Sequence, residues 1–555
     1  MRKYLLLIPF LLLAMQLNAQ TYTDLTDSAS HVMKKAKDTI GKRTALNLYE
    51  KAFKLYPKEI GNKERNDAAI LAGDLSQLDK AFEYFSPVAK SGTKYIRGWE
   101  YIIDYGDEYK SLHQDRRWQQ LVAAAQIEKR VFFKKIAGQQ SEFEHGGLTE
   151  IIFNKADGAK ATYQKIKNFN AFPKKREVGY SIKFKVTDSL NTSYFVGLAK
   201  NYNPKRRYPV LFFLHGGVAY SDFSAYQDST IGNGWNRYYT KYAAMHEVIM
   251  VYPSGSNKYN WMTSDAGFFM VPAILREIKR SVNIDDDKVF ITGHSNGATG
   301  SFSYLMKQQS PFAGFYGFNT QPKIRTGGTF IKNILNRSYF NVSTDQDYYY
   351  PPGANDTLNV LMKKLGADYL DHRYNGFPHW FPEFDESEPV YSLLFADLAA
   401  RKRSPFHPNI YWECDDVKYG KTDWLEITQL DTGSKLADWH QRINFDILKL
   451  LSYDNNDNLV TKDTLVKAFK FPRKSGAVKG YFKNNEFHLE TSAVKSATVF
   501  ISPDMVDMTK PVTVYINGIK KAAKMPVYNK EFIINNFNQT YDRKAVWVDH
   551  IDIVI

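Results

Sequence analysis

The stretch Lys288–Gln309, KVFITGHSNGATGSFSYLMKQQ, sets Ser295 between Gly293 and Gly297, after an apolar run and before a segment of helical composition. A G-x-S-x-G pentapeptide arises by chance about one time in five in a chain of this length. The pentapeptide alone therefore decides nothing, and its surroundings carry the reading. A serine displayed on a sharp strand-to-helix turn needs an apolar strand before it, a helix after it and small residues that relieve crowding. All three occur here.

Working outward, the chain from Tyr208 alternates continuous apolar runs with helix-like segments: PVLFFL, EVIMVYP, AILREIKRSV, KVFIT, SFSYLMKQQ, SYFNVS and TLNVLMKKLG. Strands buried on both faces read as unbroken apolar runs, so this alternation predicts a largely parallel sheet with helices on both faces. The flanks differ. From residue 20 to 130 the pattern is helical; TALNLYEKAFKLYP places Ala45, Leu48, Tyr49, Ala52, Phe53 and Tyr56 at three- and four-residue spacing and stops at Pro57. These helices resemble tetratricopeptide hairpins, with one convincing repeat and one degenerate one. Residues 131–205 are read as a strand-rich lead-in, on segments such as YSIKFKV and SYFVGLAK. Residues 206–400 form the central α/β domain. After RKRSPFHP, residues 401–555 carry short strands and turn signals, with Asn517-Gly518 marking a hairpin, and are expected to form a separate β-rich domain.

In an open α/β sheet chemistry gathers at the carboxyl ends of the strands. There the sequence supplies His215-Gly216-Gly217, then His294-Ser295-Asn296, then Thr344-Asp345-Gln346-Asp347, and later His379 in a Gly- and Pro-rich loop. A serine hydroxyl needs an imidazole to take its proton, and His379 is the candidate. The imidazole needs a carboxylate to fix its tautomer; Asp347 is the candidate, and Asp345, nearer the strand end, competes with it. The oxyanion of a tetrahedral intermediate needs N–H donors, which Asn296 and the turn at Gly217 or Val218 offer. His215 is expected to shape the oxyanion loop and His294 to point away from the chemistry.

From about Tyr208 to Phe395 the chain resembles the polyhydroxybutyrate-depolymerase and feruloyl-esterase branch of the α/β hydrolases, on the strings LHGG, VYPSG with a following Trp, NIDDDKVFITGHSNGA and PHWFP. The resemblance implies a central α/β-hydrolase fold, a serine nucleophile at Ser295, an acid at Asp347 placed four residues before Pro351, a base at His379 and ester hydrolysis without metal or organic cofactor. The oxyanion turn carries fewer glycines than many relatives, and Thr344 stands where glycine is often found. Acylated polysaccharides or small esters are the expected substrates. A peptidase or polyester depolymerase on the same fold is the enzymatic alternative; a non-catalytic protein that grips a partner through its N-terminal helices is the alternative of another class.

Composition narrows the setting. A basic start, the apolar run LLLIPFLLLAM and a small residue at Ala19 read as a signal peptide over residues 1–19, so an exported, periplasmic or secreted protein is expected. No later stretch is apolar enough for a membrane span. One cysteine, Cys414, excludes an intramolecular disulfide. The formal net charge of +15 is spread over small loop clusters without a nucleic-acid motif, and is read as solvated surface.

Overall fold

Helix caps and apolar spacing account for the first elements of the computed structural model, which describes residues 20–555 apart from 94, 95, 152, 155 and 264; the signal-peptide expectation lies outside the described residues. The chain divides into residues 1–137 and 138–555. In the first unit, helix Tyr22–Lys35 opens with a capping box of Thr21 and Asp24, and Asp38 caps helix Thr39–Leu55 through the Gly41 N–H. The second helix buries Ala45, Tyr49, Ala52 and Phe53, and packs on the first. Helices Asn62–Asp74 and Leu78–Ser91 pair in the same way.

The strand-rich lead-in does not begin where the sequence reading put it. Helix Arg116–Glu144 runs on past residue 130, Ala159–Asn168 is also helical, and the first strand starts at Gly179. The segment 126–144 is rich in Lys, Glu and Gln, whose unbranched side chains favour helix. The helix is followed by Gly146 and Gly147, both at positive φ.

The second unit is organised by an eight-stranded sheet: β1 (Gly179–Lys185), β2 (Asn191–Gly197), β3 (Tyr208–Leu214), β4 (Ile249–Pro253), β5 (Ile284–Gly293), β6 (Gly314–Phe318), β7 (Ser338–Gln346) and β8 (Tyr369–Pro378). Its order is β1-β2-β4-β3-β5-β6-β7-β8. β1 and β2 pair antiparallel, as do β2 and β4; from β4 to β8 all neighbours are parallel. The chain runs from β3 to β4 on one side and returns to β5 on the other, so the order reverses at β3. That reversal opens a crevice at the carboxyl ends of β3 and β5.

The C-terminal part is β-rich. A four-stranded and a five-stranded sheet enclose Trp412, Trp424, Phe487 and Val499. Asn517 and Gly518, at φ 51° and 82°, make the two-residue turn of a hairpin. This part is not separate from the large sheet, because residues 138–555 form one unit. Lys279 contacts Asp286 at 3.0 Å and Asp542 at 2.8 Å, Arg403 contacts Asp287 and Asp542, and Arg543 contacts Asp286, all buried. Burial alone would raise the Asp542 carboxyl, yet Arg403 and Lys279 beside it hold it well below the usual carboxylate range. Removing one member of such a cluster leaves uncompensated buried cations, so Asp542→Asn should destabilise the protein by about 3–5 kcal/mol. Denaturant unfolding of the full chain measures this; a loss below about 1 kcal/mol would show that the cluster does not hold the C-terminal part to the sheet.

Candidate active site

Sheet register brings the candidate residues together. Leu214 pairs with Gly293, setting the loop after β3 beside the loop after β5. His294 bridges to Phe318, and the Ser295 N–H donates to the Phe318 carbonyl at 3.0 Å. Gln346 pairs with Pro378, placing Asp347 beside His379.

Ser295 sits at φ 57°, ψ −120°, a conformation costly for a residue with a Cβ, and it precedes helix Asn296–Lys307. The turn closes so tightly that the flanking glycines have no substitute. A Cβ on Gly297 would lie 1.8 Å from the Leu214 carbonyl oxygen, and one on Gly293 would lie 2.4 Å from the Gly297 carbonyl carbon. On the other side a Cβ on Gly216 would stand 3.2 Å from the Ser295 Cβ, so the β3 loop abuts the serine directly.

Asp347 and His379 are both buried and joined: His379 Nδ1–H donates to Asp347 Oδ1 at 2.7 Å. The second carboxylate oxygen accepts from Asn319 Nδ2 at 3.0 Å, and the Tyr349 N–H donates to Oδ1 at 2.8 Å. Asp345 is elsewhere. β7 extends to Gln346, so Asp345 is still inside the strand, where its carboxylate accepts from the Gly376 N–H at 2.8 Å. His379 Nδ1 is committed to Asp347, so Nε2 is the ring nitrogen able to accept a proton. No hydrogen bond joins Ser295 Oγ to His379 Nε2 in this structure; such bonds are often long until a substrate is bound.

The candidate oxyanion donors are open. The N–H groups of Asn296, first in its helix, and of Gly217, at φ 65°, have no hydrogen-bond acceptor among the described residues. His215 is positioned to hold this loop: its Nδ1–H donates to the Gly216 carbonyl at 2.7 Å, and its Nε2 accepts from the Gly255 N–H at 3.0 Å. Burial lowers its pKa, in keeping with a neutral ring.

His294 departs from the expectation that it points away. Its ring lies 4.8 Å from the His379 ring, and its Nε2–H donates to the His379 carbonyl at 2.7 Å. Burial and the neighbouring His379 pull its pKa down to about 3, so it stays neutral and adds no charge beside His379. Sequence reading also missed Asn319 and the task of Thr344. Asn319, at φ 54° just past β6, donates to both Thr344 Oγ1 and Asp347. Thr344 in turn donates to the Pro378 carbonyl, one residue before His379. A polar residue directly after an apolar strand was the only signal for Asn319.

Two cavities of about 440 and 550 Å³ are lined by residues remote from Ser295. No group of three or more His, Cys, Asp or Glu side chains suited to a metal occurs among the described residues. No described helix is long and apolar enough to cross a membrane.

No family model matches the chain, and no curated protein matches it. Solved structures do. A thermostable esterase is 20% identical over 41% of this chain and 64% of its own, with a TM-score of 0.33, so the chain spans less than two thirds of that relative. A butyrate-bound esterase of the Planctomycetes species Thermogutta terrifontis is 13% identical over 40% of this chain and 92% of its own, with a TM-score of 0.33. A ferulic acid esterase is 19% identical over 40% of this chain and 95% of its own, with a TM-score of 0.31.

Proposed function

We propose that the protein is an exported serine hydrolase of α/β-hydrolase type that cleaves carboxylic esters, acylated polysaccharides among them. The observation that carries the reading is the 2.7 Å contact of buried His379 with buried Asp347, next to a serine in a strained strand-to-helix turn. His379 Nε2 removes the Ser295 hydroxyl proton as Oγ attacks the acyl carbon, and Asp347 steadies the imidazolium that forms. The tetrahedral oxyanion takes the N–H groups of Asn296 and Gly217. Collapse breaks the ester C–O bond while His379 passes its proton to the leaving alcohol. Water, deprotonated by the same nitrogen, then attacks the acyl carbon, and His379 returns the proton to Ser295 Oγ as the acyl C–Oγ bond breaks and the acid is released. Export rests on the leader-like residues 1–19.

A fluorophosphonate probe tests the reading. The full chain should take up one probe per molecule, on the peptide that contains Ser295. A properly folded chain that takes up none would overturn it in favour of a non-catalytic protein whose N-terminal helices bind a partner.

A further inference from the structure

We infer that Tyr453, on a hairpin of the C-terminal part, forms with Tyr348 and Trp380 a ring-stacking subsite for the alcohol half of the ester. The inference rests on Ser295 and His379 acting as the reacting pair. In that chemistry the two ends of the substrate are not equivalent. The oxyanion points to Asn296 and Gly217, while the leaving oxygen must face His379 Nε2 to receive its proton. Groups beyond His379 therefore meet the alcohol.

A run of rings adjoins His379. Tyr348 is centred 5.1 Å from His379, Tyr453 lies 5.7 Å from Tyr348 at 67°, and Trp380 lies 6.2 Å from Tyr453 at 24°. Tyr348 and Tyr453 are 41% and 37% exposed, so their ring surfaces are open to a ligand rather than spent on the core.

The support beneath Tyr453 is fixed. Strands Asp446–Tyr453 and Leu459–Lys467 pair antiparallel, and Ile447 is buried in the core of the large sheet. At the hairpin turn the Asp454 carboxylate accepts from the N–H groups of Asn456 and Asn458. A preorganised aromatic surface of this kind takes a ring with an apolar face, which a pyranose and an arene both present.

Full-length Tyr453→Ala and Tyr453→Phe test the subsite with three acetate esters: acetylated xylotriose, 2-naphthyl acetate and ethyl acetate. Relative to ethyl acetate, Tyr453→Ala should lower kcat/KM for a ring-bearing alcohol by about 2- to 12-fold, and Tyr453→Phe should retain it. A fall confined to the xylotriose ester identifies a saccharide, and one confined to the naphthyl ester identifies an arene. Ratios that Tyr453→Ala leaves unchanged for both, in an active enzyme with unaltered melting, would overturn the subsite alone. A folded wild type that turns over none of the three esters would instead overturn the hydrolase reading, and the alcohol subsite with it.

Discussion

On the proposed function, Ser295→Ala should lower kcat on any ester the wild type cleaves by on the order of a millionfold, the loss seen when a triad nucleophile is removed from a serine hydrolase. The expectation follows from what the side chain does in the structure. Ser295 Oγ is joined neither to His379 nor to Asp347, so its removal disturbs no network that holds the site. The backbone at φ 57° is as strained for alanine as for serine, and the Phe318 and Thr299 backbone bonds of the turn survive. The unfolding free energy should therefore stay within about 0.5 kcal/mol of wild type, as for a surface change that touches no packed group. Fluorophosphonate labelling should vanish with activity. Turnover or labelling that persisted in Ser295→Ala would place the nucleophile elsewhere.

The second large effect separates the two aspartates. Asp347→Asn should cost roughly 10⁴-fold in kcat, the size seen when a triad acid is neutralised, whereas Asp345→Asn should cost less than about tenfold. At Asp347 an amide cannot satisfy its surroundings. Asn319 Nδ2 and His379 Nδ1 both donate to the carboxylate, so a new NH₂ group must face one of these donors. If it faces His379, the ring is driven to the tautomer whose Nε2 carries the proton and cannot act as base. Among the described residues Asp345 accepts only the Gly376 N–H, which an amide oxygen also accepts. Reversed magnitudes would make Asp345 the acid in solution.

Adjacent residues illustrate why one aspartate was ambiguous in the sequence. SYFNVS reads as an apolar strand that stops at Ser343, after which both Asp345 and Asp347 lie in a loop. Pairing with β8 continues β7 to Gln346, and strand pairing is a property of the neighbour, not of the segment. The extra residues hold Asp345 in the ladder and deliver Asp347 at the strand's exit. The strand-rich reading of residues 131–205 rests on YSIKFKV and SYFVGLAK, which lie well after residue 130, whereas the residues just past 130 belong to a run rich in Lys, Glu and Gln that favours helix.

Local chemistry by itself determined the glycine-flanked serine, the helix after it, the Asn517-Gly518 turn, and the succession of strand ends that carry Gly217, Ser295, Asp347 and His379. Each of these depends on steric limits or apolar runs confined to a few neighbouring residues. Only the tertiary structure decided which of them meet. Parallel register placed Asp347 on His379, the order reversal at β3 set the Gly216 turn against Ser295, and burial made His294 a neutral companion of His379. It also joined the C-terminal part to the sheet through Asp542 and brought Tyr453 beside Tyr348, 105 residues away in sequence. Such contacts arise from the packing of whole elements, and no spacing along the chain encodes them.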